Sequence, residues 1–222
     1  MGNHDHHDVH THQPGNHHAA HSGHHDHHAA AHSHHQVTDI DNRKYGMWVL
    51  IGSECFLFGT MIANFMINRH NTGTAPKPTE VFNIELTTWS TFILLLSSVA
   101  MVLSLDACKR KELKKFQLWT SVVVVCGLFF LGCQVYEFNH FIHEGFGLTS
   151  SLAASSFFLL TGCHGAHVAV GVLIMSSILV TSLVKKETWF NYNVVETLGL
   201  YWHFVDVVWI LIFTIVYLFV YL

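Results

Sequence analysis

The sequence predicts an all-α fold: a multi-pass membrane protein whose five transmembrane helices form a bundle, preceded by a disordered histidine-rich N-terminal tail. Three observations predict it. Half of the 222 residues are hydrophobic and only 12% are charged, about half the charged share of an ordinary soluble domain. The apolar residues gather into blocks long enough to cross a bilayer, which takes roughly 20 of them per helix. Residues 1–42 contain almost no aliphatic or aromatic side chain, so that segment cannot offset its ordering entropy by burial.

The tail comes first. It holds 15 of the 21 histidines, all before residue 36. They titrate near neutral pH, so the formal net charge of −4 says little about partners. Clusters such as His24, His25, His27 and His28 are weak, unselective ligands for Zn²⁺, Ni²⁺ or Cu²⁺, because no scaffold fixes their geometry. Buffering copper, gathering protons and serving as a tolerated solvated extension are the alternatives.

A membrane domain spans 43–222, with helices at about 45–67, 86–105, 116–138, 150–184 and 195–220. The fourth block is longer than a span needs, so it should tilt or project. Pro76 and Pro78 fall in the first loop, where proline belongs. No internal repeat is evident, against the inverted-repeat plan of many transporters. The five cysteines form no Cys-x-x-Cys pair and read as small buried hydrophobes. No apolar leader marks a cleavable signal peptide.

Lysine and arginine set the orientation. With the tail inside, that face holds Arg43, Lys44, Lys109, Arg110, Lys111, Lys114, Lys115, Lys185 and Lys186, against Arg69 and Lys77 outside. This positive-inside bias puts the N-terminus in the cytoplasm and the C-terminus outside. The Lys109–Lys115 cluster serves as a topology anchor or an anionic-lipid contact.

Ionisable groups at bilayer depth cost at least a few kcal/mol unless they find partners. Glu54 lies roughly 13 Å in from the inner end of helix 1, and His203 and Asp206 lie roughly 12 and 16 Å into helix 5 from the same side. His203 and Asp206 share a helix face at i and i+3, so these three are expected to meet. Their network is either structural or proton-handling. A second network is expected near the outer surface. There Gln134 and Glu137 share a face at the end of helix 3, and Glu137 should pair with His164 or His167 of helix 4. Those two histidines are either metal or haem ligands or, more commonly, interhelical hydrogen-bonders beside the small residues Gly162, Gly165 and Ala166. The unequal depth of His203 and the histidine pair disfavours a bis-histidine haem. Glu196 lies near the inner surface. Trp202, Trp209, Tyr217 and Tyr221 read as lipid-facing, belt or packing residues.

With these residues placed, the chain resembles subunit III of the haem-copper terminal oxidases, in a short five-helix bacterial form. Four motifs, in the family's order across about 45–220, carry the likeness. They are Gly46-Met47-Trp48 with Ser53-Glu54-Cys55-Phe56-Leu57-Phe58; Leu94-Leu95-Leu96-Ser97-Ser98; Gln134 with Glu137-Phe138, Phe157-Phe158 and Thr161-Gly162-Cys163-His164-Gly165-Ala166-His167-Val168; and Glu196 with Tyr201-Trp202-His203-Phe204-Val205-Asp206-Val207-Val208-Trp209. The last two are the specific ones.

The resemblance implies a non-catalytic subunit of a proton-pumping oxidase in the plasma membrane. It implies direct packing on the catalytic subunit I, with subunit II and others in the complex, and it admits membership of a respiratory supercomplex. Haem and copper are expected in the partners and none in this chain, with room for bound phospholipid. No nucleic acid is implied. Roles in sustaining proton uptake and protecting subunit I follow, and the family's carbodiimide-reactive carboxylate maps onto Glu54. The two first helices of longer family members are missing, and with them one wall of the lipid cleft those members carry. Competing readings are subunit III of a quinol oxidase, an accessory protein of a nitric-oxide reductase, a haem-binding membrane cytochrome and a histidine-rich metal transporter.

Overall fold

In hydrocarbon every backbone N–H and C=O must be paired within the chain, so apolar blocks of this length become helices. The computed structural model describes residues 35–70, 84–145, 147–185 and 192–218, with side chains from residue 44 onward. It contains α1 (His35–Asn68), α2 (Ile84–Lys109), α3 (Leu113–His143), α4 (Leu152–Lys185) and α5 (Tyr192–Ile212), the last running into a π-helical turn at Phe213–Leu218. All five helices are long and apolar enough to cross a membrane. Helix α1 starts ten residues ahead of the expected boundary, so helix reaches into the segment read as disordered. The rest of the tail, with His24, His25, His27 and His28, lies outside the described residues, as do Pro76, Pro78 and Tyr221.

Polar contacts fix an up-and-down order. Lys44 pairs with Glu196 at 2.8 Å, which puts the start of the α1 span beside the start of α5. Gln117 Nε2 donates to the Ser182 carbonyl at 3.0 Å, joining the start of α3 to the end of α4. Asn64 Nδ2 donates to Ser156 Oγ at 3.2 Å, joining the end of α1 to the start of α4. The α2–α3 turn closes over Arg110, Lys111 and Glu112, with Lys111 at φ 59°.

Helices α2 to α5 share one packing seam. The buried residues of α3 include Phe116, Thr120, Val123, Gly127, Phe130, Gln134, Glu137 and Phe141. Those of α5 include Val195, Leu198, Trp202, Val205, Trp209 and Ile212. Both series alternate steps of four and three residues, the heptad spacing of left-handed bundles. On α2 the seam is rich in hydroxyls (Thr87, Ser90, Thr91, Ser97, Ser104), which lets helices approach closely. Trp202 Nε1 donates to Ser97 Oγ at 3.0 Å and Trp209 Nε1 to Thr91 Oγ1 at 2.9 Å. Two indoles one heptad apart thus tie α5 to α2. Trp202, Trp209 and Tyr217 are all buried; of the lipid-facing, belt and packing readings, packing describes them, because their ring N–H and O–H groups find partners inside the bundle. Helix α1 stands apart: among its described side chains, Phe58 and Phe65 are the buried hydrophobic ones.

The cysteines are unpaired; Cys55 is exposed and the other four are half-buried.

Candidate functional site

The structure regroups the expected polar residues. Glu54 meets His167, with Oε2 3.1 Å from Nε2, and not the His203–Asp206 face. The sequence places His167 in the outer network, and the structure places it near the middle of its span. Helix α4 has 34 residues, roughly 51 Å of helix against a hydrocarbon core of about 30 Å, so distance from its end is not depth. Glu54 and His167 each lie within about two residues of the midpoints of their spans, Lys44–Asn68 and Leu152–Lys185.

The other ring nitrogen settles what this contact is. His167 Nδ1 lies 2.8 Å from the carbonyl oxygen of Cys163. A carbonyl only accepts, so Nδ1 carries a hydrogen. The contact at Nε2 is then either a carboxylic acid donating to a neutral imidazole or an imidazolium donating to a carboxylate. Both forms are neutral overall and differ by the position of one proton, which suits a pair in the middle of a membrane. Phe58 packs edge-on against His167 with ring centroids 5.1 Å apart. The pair borders an apolar groove of about 380 Å³ between α1, α4 and α5, lined among others by Leu50, Val170, Ile174 and Leu198. Tyr201 Oη, also on the groove wall, donates to the His167 carbonyl at 3.0 Å.

Glu137 does not pair with either histidine. Thr87 Oγ1 donates to its Oε1 at 2.7 Å, and Tyr217 Oη donates to its Oε2 at 3.3 Å. The π turn carries Tyr217 into the bundle, where it is almost fully buried. Thr87 and Tyr217 are partners that sequence reasoning does not supply. The signal for them was depth: Thr87 starts α2 and Tyr217 ends the last span, at the level where α3 places Glu137. Gln134 Nε2 donates to the Thr161 carbonyl at 2.7 Å, tying α3 to α4. Gly165 admits that contact, since a Cβ there would sit 2.8 Å from Gln134 Nε2. Gly162 is roomier, with Phe138 3.9 Å from a Cβ. Thr87→Val should lower bundle stability by about 1 kcal/mol and Tyr217→Phe by less, following the two bond lengths; unfolding of the reconstituted chain in SDS measures the order.

His164 is fully buried and, among the described residues, makes no hydrogen bond at either nitrogen. Its ring stacks on Trp209 at 4.8 Å and meets Phe130 edge-on at 5.9 Å. Among the described residues no group of three or more His, Cys, Asp or Glu side chains is arranged to hold a metal ion. His203 Nδ1 lies 2.6 Å from Ser98 Oγ on α2. Asp206 is buried beside it.

Five spans, a heptad-packed bundle and a carboxyl–imidazole contact near the middle of two spans describe a multi-pass membrane protein with a polar site inside it. The profile of the family described as cytochrome c oxidase subunit III matches residues 23–221, and the chain belongs to that family. It is 38% identical over 178 residues to cytochrome c oxidase subunit 3 of Bacillus subtilis, covering 80% of this chain and 86% of that one. It is also 38% identical over 173 residues to quinol oxidase subunit 3 of the same organism, covering 78% and 85%. Cytochrome c oxidase subunit 3 of Bacillus sp. PS3 is 37% identical over 177 residues, covering 80% and 86%.

Proposed function

We propose that this chain is the non-catalytic third subunit of a proton-translocating haem-copper oxidase in a bacterial plasma membrane. There it packs against subunit I, assembles with subunit II, and sustains the proton supply and working life of the catalytic subunit. The observation that carries this reading is the Glu54–His167 contact, at 3.1 Å near the middle of both spans and beside an open apolar groove. Haem and copper supply the oxygen chemistry from the partner subunits. What this chain's residues do is hold a proton at Glu54 Oε2 or His167 Nε2 and keep the imidazole oriented through Cys163. The groove takes acyl chains, which shield the pair from bulk water. The lysine and arginine asymmetry supports a cytoplasmic N-terminus and an outward C-terminus, with residues 1–42 a solvated tail and 43–222 the membrane domain.

Gentle purification through a tag on this chain tests the reading. A multisubunit particle with haem a or haem o absorption is the expected outcome. A chain that holds stoichiometric haem alone, or carries metal ions into vesicles alone, would overturn it. The two relatives of equal identity carry two donor names. The particle's oxidation of reduced cytochrome c or of a quinol decides between them.

A further inference from the structure

The α2–α3 turn frames a second cavity, of about 210 Å³, where two spans meet one face of the membrane. Four charged side chains line it: Asp106 and Arg110 at the end of α2, Glu112 and Lys115 at the start of α3. Arg110 Nε lies 2.9 Å from Asp106 Oδ2, and Lys115 Nζ lies 2.6 Å from Glu112 Oε2. Each ion pair stays on its own side of the turn. Among the described residues no bond crosses the cavity from one pair to the other. All four side chains keep part of their surface open.

The turn holds this rim in place. Lys111 takes φ 59°. Glu112 N–H donates to the Ala107 carbonyl at 3.0 Å, and Lys111 N–H donates to the Cys108 carbonyl at 3.1 Å. These are the two bonds of a Schellman motif, with Lys111 as its left-handed residue. Arg110 and Glu112 flank that residue, and both reach the cavity. Deeper, the lining becomes apolar. Leu103 and Trp119 lie six residues in from the helix ends at Lys109 and Leu113, roughly 9 Å toward the hydrocarbon.

These features select a ligand. The cavity is smaller than the roughly 300–1,000 Å³ of a drug-sized site, so it takes a compact polar group. The four charges cancel. A lone anion drawn to Arg110 and Lys115 would also meet two carboxylates, whereas a zwitterion finds opposite charge at both of its ends. Lys109, Lys111 and Lys114 lie outside the lining, so the basic run does not turn the cavity into an anion site. Exposed ion pairs hold little energy and exchange partners readily, and a guanidinium fits phosphate well. A primary ammonium donates hydrogen bonds to carboxylates. A trimethylated one donates none and is recognised by cages of aromatic rings, of which this lining offers one, Trp119. The change from charged rim to apolar floor suits a molecule that straddles the membrane surface.

We propose that this cavity binds one phospholipid through a phosphoethanolamine-type headgroup. Its phosphate accepts from Arg110 and Lys115, its ammonium donates to Asp106 and Glu112, and its acyl chains descend past Leu103 and Trp119. The bound lipid bridges the two ion pairs and pins the α2–α3 turn to the membrane surface. The site is separate from the groove beside Glu54 and His167, and it stands whether or not the subunit reading does.

The test offers the purified full chain equal amounts of phosphatidylethanolamine, phosphatidylcholine and phosphatidylglycerol with identical acyl chains. Native mass spectrometry counts the lipids retained. The ethanolamine form should exceed the choline form about tenfold, and Asp106→Asn combined with Glu112→Gln should bring that ratio to about one, as the loss of the ammonium's two partners implies. Because the ratio is taken within one sample, it does not depend on how much of a variant folds. Ile174→Trp, on the wall of the Glu54–His167 groove, should leave the ratio unchanged. A parent ratio near one, a preference for phosphatidylglycerol, or a ratio indifferent to the Asp106/Glu112 variant overturns the site. Loss of the ratio in Ile174→Trp places the lipid in the groove and overturns it too. Displacement of the lipid by an equal concentration of soluble phosphoethanolamine makes the ligand a free solute and overturns the lipid assignment.

Discussion

Glu54→Gln is expected to leave the oxidase assembled, with a near-normal initial rate of oxygen reduction, and to shorten its active life severalfold under continuous turnover. The glutamine amide can still donate to His167 Nε2, and His167 Nδ1 keeps its bond to the Cys163 carbonyl. The geometry survives and the transferable proton is gone. Glu54→Leu removes both, leaving His167 with an unpaired nitrogen in the membrane, which costs about 1–3 kcal/mol; it should also reduce the amount of assembled complex. The pair of variants separates the two roles the sequence left open. If Glu54→Gln lives as long as the parent while Glu54→Leu fails to assemble, the pair is structural and its proton is incidental. Oxygen affinity should not move in either variant, since the oxygen-binding metals belong to a neighbour.

Gly171→Leu is expected to prevent the bundle from forming. A Cβ at Gly171 would lie 2.8 Å from Cζ3 and 2.9 Å from Cε3 of Trp202. The indole cannot retreat: its far edge lies 3.1 Å from where a Cβ on Gly127 would be, it is fully buried, and Nε1 is held by Ser97. Trp202 thus occupies a slot between α3 and α4 that two glycines create. Gly171→Ala should cost about 1–3 kcal/mol by overpacking, and leucine more. Combining Gly171→Ala with Trp202→Phe should recover part of that loss, since residues in contact are not additive. Gly162→Ala is the control, with its nearest neighbour at ordinary contact distance. Protease resistance of the tagged chain in membranes, followed across this series, gives the ranking; equal resistance for Gly171→Leu and the parent would mean that the slot is not as tight as these distances make it.

Much of the fold could be read from the sequence because the bilayer imposes it. Five apolar blocks of sufficient length leave little choice but five helices, and the motifs around Glu54, His164, His167 and His203 mark polar positions within them. The pairings could not be read from depth alone. Glu54, Ser98, His167, His203 and Asp206 all lie near the midplane, so depth does not discriminate among them. Rotation about each helix axis does, and that is set by the heptad seam. Phase was present in the sequence: Gln134 and Glu137 fall in register with Phe130 and Phe141 on α3, which turns both toward the bundle interior and toward Thr87, Thr161 and Tyr217. Asp206 is buried beside the Trp202–Val205–Trp209 seam of α5, and His203 lies off it, against Ser98 of α2. His167 lies nearer the middle than its place in the sequence suggests because α4, at 34 residues, is longer than a span needs. The early start of α1 had no apolar signal at all.

The sparse attachment of α1 bears on how this protein is made. Its ties run to Ser156, His164 and His167 on α4 and to Glu196 on α5, all of which leave the ribosome roughly a hundred residues or more after α1 does. Among the five described spans, the earliest in the chain therefore finds these partners only after α4 and α5 have been made, and its glutamate must wait in the lipid until His167 has been synthesised.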